Sequence, residues 1–119
     1  MNRVILVYDG DSGLAAMLLD AVKKAVGRED CALCEIIYSP VGKKREWVAC
    51  QRRLGVEVEE LHRDRIPPSW GITELPCVLG RNGEARPAVL LDRGQIAACR
   101  GSVTELERRL RQALLAKAS

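Results

Sequence analysis

The chain opens on an apolar run without a polar gap. Val4-Ile5-Leu6-Val7 is largely β-branched and stops at Asp9-Gly10-Asp11, which predicts a strand buried on both faces. The period then changes. Leu14, Leu18, Ala21, Val22 and Ala25 recur at helical spacing, with Lys23 and Lys24 on the other side and Gly27 as a stop. Asp11 or Ser12 is the natural N-cap. Glu35-Ile36-Ile37-Tyr38 reads as a second strand, closed by Ser39-Pro40-Val41-Gly42, and a short helix over 43–54 is stopped by Gly55. Val56-Glu57-Val58-Glu59 alternates as a half-buried strand does, and Leu61-His62 extends it.

Residues 65–74 carry two prolines and Gly71, the composition of a loop or a broken helical turn. Pro76-Cys77-Val78-Leu79 and Ala88-Val89-Leu90-Leu91 then flank Arg81-Asn82-Gly83-Glu84. An Asn-Gly between apolar runs is a strong hairpin signal. Val103, Leu106, Leu110, Ala113 and Leu114 form the stripe of a closing helix capped near Ser102 or Thr104. Right-handed crossovers then give an α/β domain over 1–119. Its three parallel strands and a C-terminal β-hairpin form one mixed sheet, with helices on both faces.

That order resembles the thioredoxin fold over nearly the whole chain. The resemblance implies a cis-proline opening the strand of "ELPCVL", which puts Pro76 there, with Pro87 of "RPAVLL" as the rival. It also implies a Cys-x-x-Cys between the second strand and its helix, where this chain has Ser39 and Gly42. Neither can form a disulfide, so the standard dithiol mechanism is absent. A second resemblance lies in "YDGDSGLA", which is similar to the active loop of the DCC thiol-disulfide oxidoreductase family. Tyr8, Asp9, Gly10 and Asp11 match, while Ser12 and Ala15 stand at the cysteine positions. A third is longer: "CALCEIIYSPVGKKREW" followed by "LGVEVEELHRD" resembles a group of bacterial thioredoxin-like proteins, which implies no particular activity.

Composition narrows the partners. Nineteen basic residues nearly balance sixteen acidic ones, for a net charge of +3, and aromatics are 3% of 119 residues. Neither an electrostatic footprint nor a stacking platform for nucleic acid is expected. No apolar run reaches membrane-spanning length, and the start is unlike a signal peptide, so a cytoplasmic location is expected. In that reducing setting most of the five cysteines are thiols.

Candidate chemistry collects beyond the carboxyl ends of parallel strands. Asp9, Asp11, Ser39, Gly42, Lys43, His62, Asp64 and Pro76 all fall at that edge. Asp9 and Asp11 with His62 and Asp64 read first as caps and loop hydrogen-bonders, and otherwise could hold a hard metal ion or polarise a ligand; no resident metal or cofactor is expected. Ser39 and Gly42 ahead of Lys43, Lys44 and Arg45 could hold a small anion or a carboxylate, with Trp47 packed one turn in. A Ser12-His62-Asp64 protease triad has nothing beyond residue names to support it. His62-Arg63-Asp64 matches the kinase catalytic tripeptide by chance.

Cys31-Ala32-Leu33-Cys34 is a Cys-x-x-Cys away from that edge, open to three readings: packed thiols, a redox disulfide, or half of a zinc site. Cys77 follows the expected cis-proline, while Cys50 and Cys99 read as packing residues. Two functions follow. One is a binding module using the groove beside Pro76, for a protein, peptide or small molecule. The other is a thiol redox protein using Cys31 and Cys34, with Cys77 as a further candidate.

Overall fold

A computed structural model describes residues 2–9, 32–39 and 42–118. The helix expected over 14–25 lies outside them, as do Asp11 and Cys31. Strand β1 (Arg3–Tyr8) is buried from Val4 onward on both faces, as its unbroken apolar run requires. It sits between β4 (Glu57–His62), which is parallel to it, and β5 (Cys77–Arg81), which is antiparallel. Strand β6 (Ala88–Leu91) closes a four-stranded sheet of order β4-β1-β5-β6. The molecule is thus α/β with a mixed sheet.

The expected strand at Glu35-Ile36-Ile37-Tyr38 is corrected: residues Ala32–Ile37 form helix α1. Leu33, Ile36 and Ile37 are all fully buried, and their i, i+3, i+4 spacing puts them on one helical face. A strand would have sent Ile36 and Ile37 to opposite sides. Consequently only one parallel pair, β1 with β4, stands in the described sheet. Tyr38–Ser39 (β2) and Gly42–Lys43 (β3) form a separate two-stranded ribbon, closed by Lys44 N–H donating to the Ile37 carbonyl at 2.8 Å.

Helix α2 (Arg45–Leu54) ends at Gly55 with φ +69°, the left-handed stop expected of it. Two 3₁₀ turns, Arg63–Arg65 and Pro68–Trp70, lead from β4 toward β5. The Leu75–Pro76 peptide bond is cis, so Pro76 rather than Pro87 is the cis-proline. The β5–β6 hairpin turns through Asn82 and Gly83, with Gly83 at φ +55°. Helix α3 (Arg93–Ala97) has no counterpart in the periodicity. Its start is a capping box, in which Asp92 accepts from the Gln95 N–H at 2.8 Å and Gln95 accepts from the Asp92 N–H at 2.9 Å. Helix α4 (Val103–Ala118) begins where expected, with Ser102 Oγ accepting from the Glu105 N–H at 3.2 Å.

The sheet has two unlike faces. On the first, Val4, Leu6, Tyr8 and Val78 pack with Trp47 and Cys50 of α2, Ile96 of α3, and Leu106 and Leu110 of α4. On the second, Ile5, Val7, Cys77 and Leu79 meet Leu61, Ile66, Trp70, Ile72 and Leu75, which come from β4 and the segment after it. Among the described residues no helix is long and apolar enough to cross a membrane.

Candidate functional site

Strand pairing assembles a polar cluster at the carboxyl end of the parallel pair. Register sets Leu6 beside Glu60 and Tyr8 beside His62, so Glu60 and His62 project from the face that carries Tyr8. Tyr8 is 1% exposed, and its hydroxyl donates to Glu60 Oε1. Tyr38 donates to the same oxygen at 3.4 Å, and Lys43 Nζ donates to Oε2 at 2.5 Å. The Tyr8 ring lies 5.9 Å from that of Tyr38 and 5.6 Å from that of His62. One carboxylate therefore ties β4 to β1 and to the ribbon.

Burial raises both phenols, and Glu60 adds to the effect. Tyr8 is pushed far above the usual value of 10.0, and Tyr38 up to about 12. Both remain donors at neutral pH, holding the Glu60 carboxylate in place. Cys34, half-buried on α1, lies near enough that its charge would oppose ionisation of both phenols. The Nδ1 atom of His62 is buried and has no hydrogen-bond partner among the described residues.

The structure brings Lys43 and His62 into this cluster and sets the other expected residues around it. Ser39 Oγ donates to the Gly42 carbonyl at 3.1 Å, which braces the ribbon. Asp9 pairs with Arg63 at 3.6 Å, and Asp64 is exposed on the 3₁₀ turn beside it. No three potential metal-ligating side chains converge among the described residues. Lys43 serves Glu60, and Lys44 Nζ donates to the Gly101 carbonyl at 3.2 Å, so both lysines of the expected anion site are engaged within the fold. Trp47 is fully buried in the first-face core.

A second feature lies on the opposite face of the same edge. The β1–β5 ladder ends with Val7 against Cys77, the residue that follows cis-Pro76. Residues 72–75 approach β5 with no backbone hydrogen bond to any described residue. Beside them is a groove of about 190 Å³, lined by Ile72, Thr73, Glu74, Cys77, Val89 and Arg93. Gly71 borders it at φ +65°; a Cβ there would come within 2.9 Å of the Arg86 guanidinium. Val89 is 47% exposed and supplies the groove with an apolar wall. The Cys77 thiol is pushed up to about 11 by burial, so it is a weak nucleophile at neutral pH. Cys50 is likewise raised to about 11, with burial the main cause.

Sequence reasoning overlooked Tyr8, Tyr38 and Glu60 as partners and Val89 as a groove residue. One signal was available for Glu60. It continues the alternation of Val56, just before β4, and Val58 on the inward, partly buried side, where a carboxylate needs a donor. No signal marked Val89, because its exposure depends on what covers the sheet. Comparison of the chain with protein-family models, with curated proteins and with solved structures found no match.

Proposed function

We propose that this chain is a thioredoxin-like binding module that takes an extended peptide in the groove beside Pro76. The observation that carries the reading is the coincidence of that groove with the unbonded backbone of residues 72–75. An extended segment laid there gains main-chain hydrogen bonds from the approach to β5 and an apolar contact with Val89. The thioredoxin-like assignment is supported by the parallel β1–β4 pair, the β5–β6 hairpin and the cis-Pro76 opening β5. Ser12 and Ala15, at the cysteine positions of the DCC motif, follow β1, the strand beside Pro76. A module without a reactive dithiol at that edge would bind and not exchange disulfides.

The test uses a terminally blocked heptapeptide alternating threonine and valine between terminal lysines, titrated into the ¹⁵N-labelled full chain. Amide shifts confined to residues 71–77 and 88–93 are the expected result. An unchanged spectrum, or shifts away from these segments, would refute the reading.

One observation favours a redox alternative. Cys34 is the only described cysteine that is not buried. With Cys31, it would give two electrons and two protons to an incoming disulfide, forming one S–S bond and releasing two thiols. A Cys34→Ser variant that loses all reductase activity toward a small aromatic disulfide would establish this alternative. Equal activity in both proteins, or none in either, would dismiss it.

A further inference from the structure

A larger groove lies on the first face, on the other side of β6 from the peptide site. Val89 pairs with Leu79 of the second face, and a register shift at Val78–Leu79 lets both Leu90 and Leu91 join the first, so β6 borders both grooves. This one measures about 380 Å³, within the usual range of about 300–1,000 Å³ for small-molecule sites. Leu90, Leu91 and Ala113 give it apolar walls, and its rim holds Arg108, Arg109 and Gln112 of α4 with Gln95 of α3.

The donors at that rim are pre-set. Glu105, outside the groove, accepts from Nε of Arg108 at 3.1 Å and from Nε of Arg109 at 3.0 Å, and also takes a terminal Arg108 N–H. The terminal amino groups of Arg109 donate to no described residue. Gln95 uses its carbonyl oxygen to accept the Asp92 N–H, which leaves its amide protons for a ligand. Among the described residues the lining carries two cations and no carboxylate, and with the single Glu105 shared between them the rim keeps a net positive charge that favours an anion. An apolar floor beneath a rim of guanidinium and amide donors suits a molecule with one acidic end.

We propose that this groove binds a small amphipathic anion, with a carboxylate or phosphate head on Arg108, Arg109 and Gln112 and an apolar tail against Leu90, Leu91 and Ala113. The site is separate from the peptide groove, and neither depends on the other.

The experiment is calorimetric titration of the full chain with octanoate, octyl phosphate, octan-1-ol and inorganic phosphate, with amide shifts recorded in parallel. Octanoate or octyl phosphate should bind and shift residues 90–95 and 108–116, the tighter of the two identifying the head group. Octan-1-ol should bind at least about tenfold more weakly than the tighter anion, as expected on losing charged hydrogen bonds. Inorganic phosphate should also be weaker, for want of a tail. Arg109→Gln should weaken the better ligand by about tenfold, and Ala113→Trp should abolish its binding by filling the floor. The proposal is overturned if neither amphiphile binds, or if octan-1-ol or inorganic phosphate binds as tightly as they do. It is equally overturned if Arg109→Gln has no effect. The Arg109 variant leaves the buried face of α4 intact, so its result stands even if Ala113→Trp fails to fold.

Discussion

Among the described residues, the two faces of the sheet are built from the same central strand but covered in different ways. On the first, Val4, Leu6 and Tyr8 lie under the four described helices, and the core runs from Trp47 through Ile96 to Leu110 with no buried charged residue among those described. On the second, Ile5 and Val7 meet Leu61 of β4, Ile66 just after the first 3₁₀ turn, Trp70 of the second, and the irregular approach to β5. Helices satisfy their own backbone and bring a regular apolar stripe, whereas an irregular segment leaves main-chain groups unpaired and side chains unevenly covered. That contrast explains why the unbonded backbone of residues 72–75 and the half-exposed Val89 occur on one face, while the fully buried tryptophan occurs on the other. The first face carries the larger share of the described core, and the second carries the groove proposed to take a peptide.

The strongest way to break this contrast is Trp47→Ala. It removes the largest fully buried side chain of the first-face core, and about 3–5 kcal/mol should be lost. Chemical denaturation would read this as a lower midpoint at unchanged slope. A loss below about 1 kcal/mol would mean that the first face is not the stabilising one.

Alkaline pH tests both faces at once, since Cys50 packs on the first and Cys77 on the second. Both thiols rise from the ordinary 9.0 to about 11 in the folded protein. Below pH 9 both states are protonated and the stabilisation is complete. As pH climbs from 9 toward 11 the unfolded thiols ionise first, so stability should fall by something on the order of 1–3 kcal/mol for each thiol. Denaturation midpoints at pH 8, 9 and 10.5 would follow the fall. Cys77→Val should remove its share, and an unchanged slope in that variant would place Cys77 outside the packed interior.

The smallest effect sharpens the comparison. Val89→Ser should change stability by less than about 0.5 kcal/mol, because its side chain is half exposed. The same substitution should abolish the peptide-induced shifts at residues 72–75. A large loss of stability would make Val89 a structural residue and not a wall of the groove.

Much of this architecture was legible from pattern. The unbroken Val4-Ile5-Leu6-Val7 run marked β1, the glycine after Leu54 marked the end of α2, and Asn82-Gly83 marked the hairpin, because each reflects a local rule of burial or backbone geometry. Cis-Pro76 also lies where the resemblance to thioredoxins implied. Ile36-Ile37 misled, since a paired β-branched run satisfies a strand or the inner face of a helix. Only Leu33, buried one turn earlier, decides between them.

The sequence by itself determined which segments must be buried and where the chain must turn, since these follow from side-chain apolarity and from φ preferences within a few residues. Tertiary structure alone decided which polar groups meet. Glu60 joins Tyr8, 52 positions away, and Lys43, 17 away, because the parallel register of β1 and β4 and the closure of the ribbon place them within hydrogen-bond reach. It also decided that Val89 borders one groove while Leu90 and Leu91 border the other: the register shift where β6 meets β5 breaks the alternation that the sequence alone would suggest.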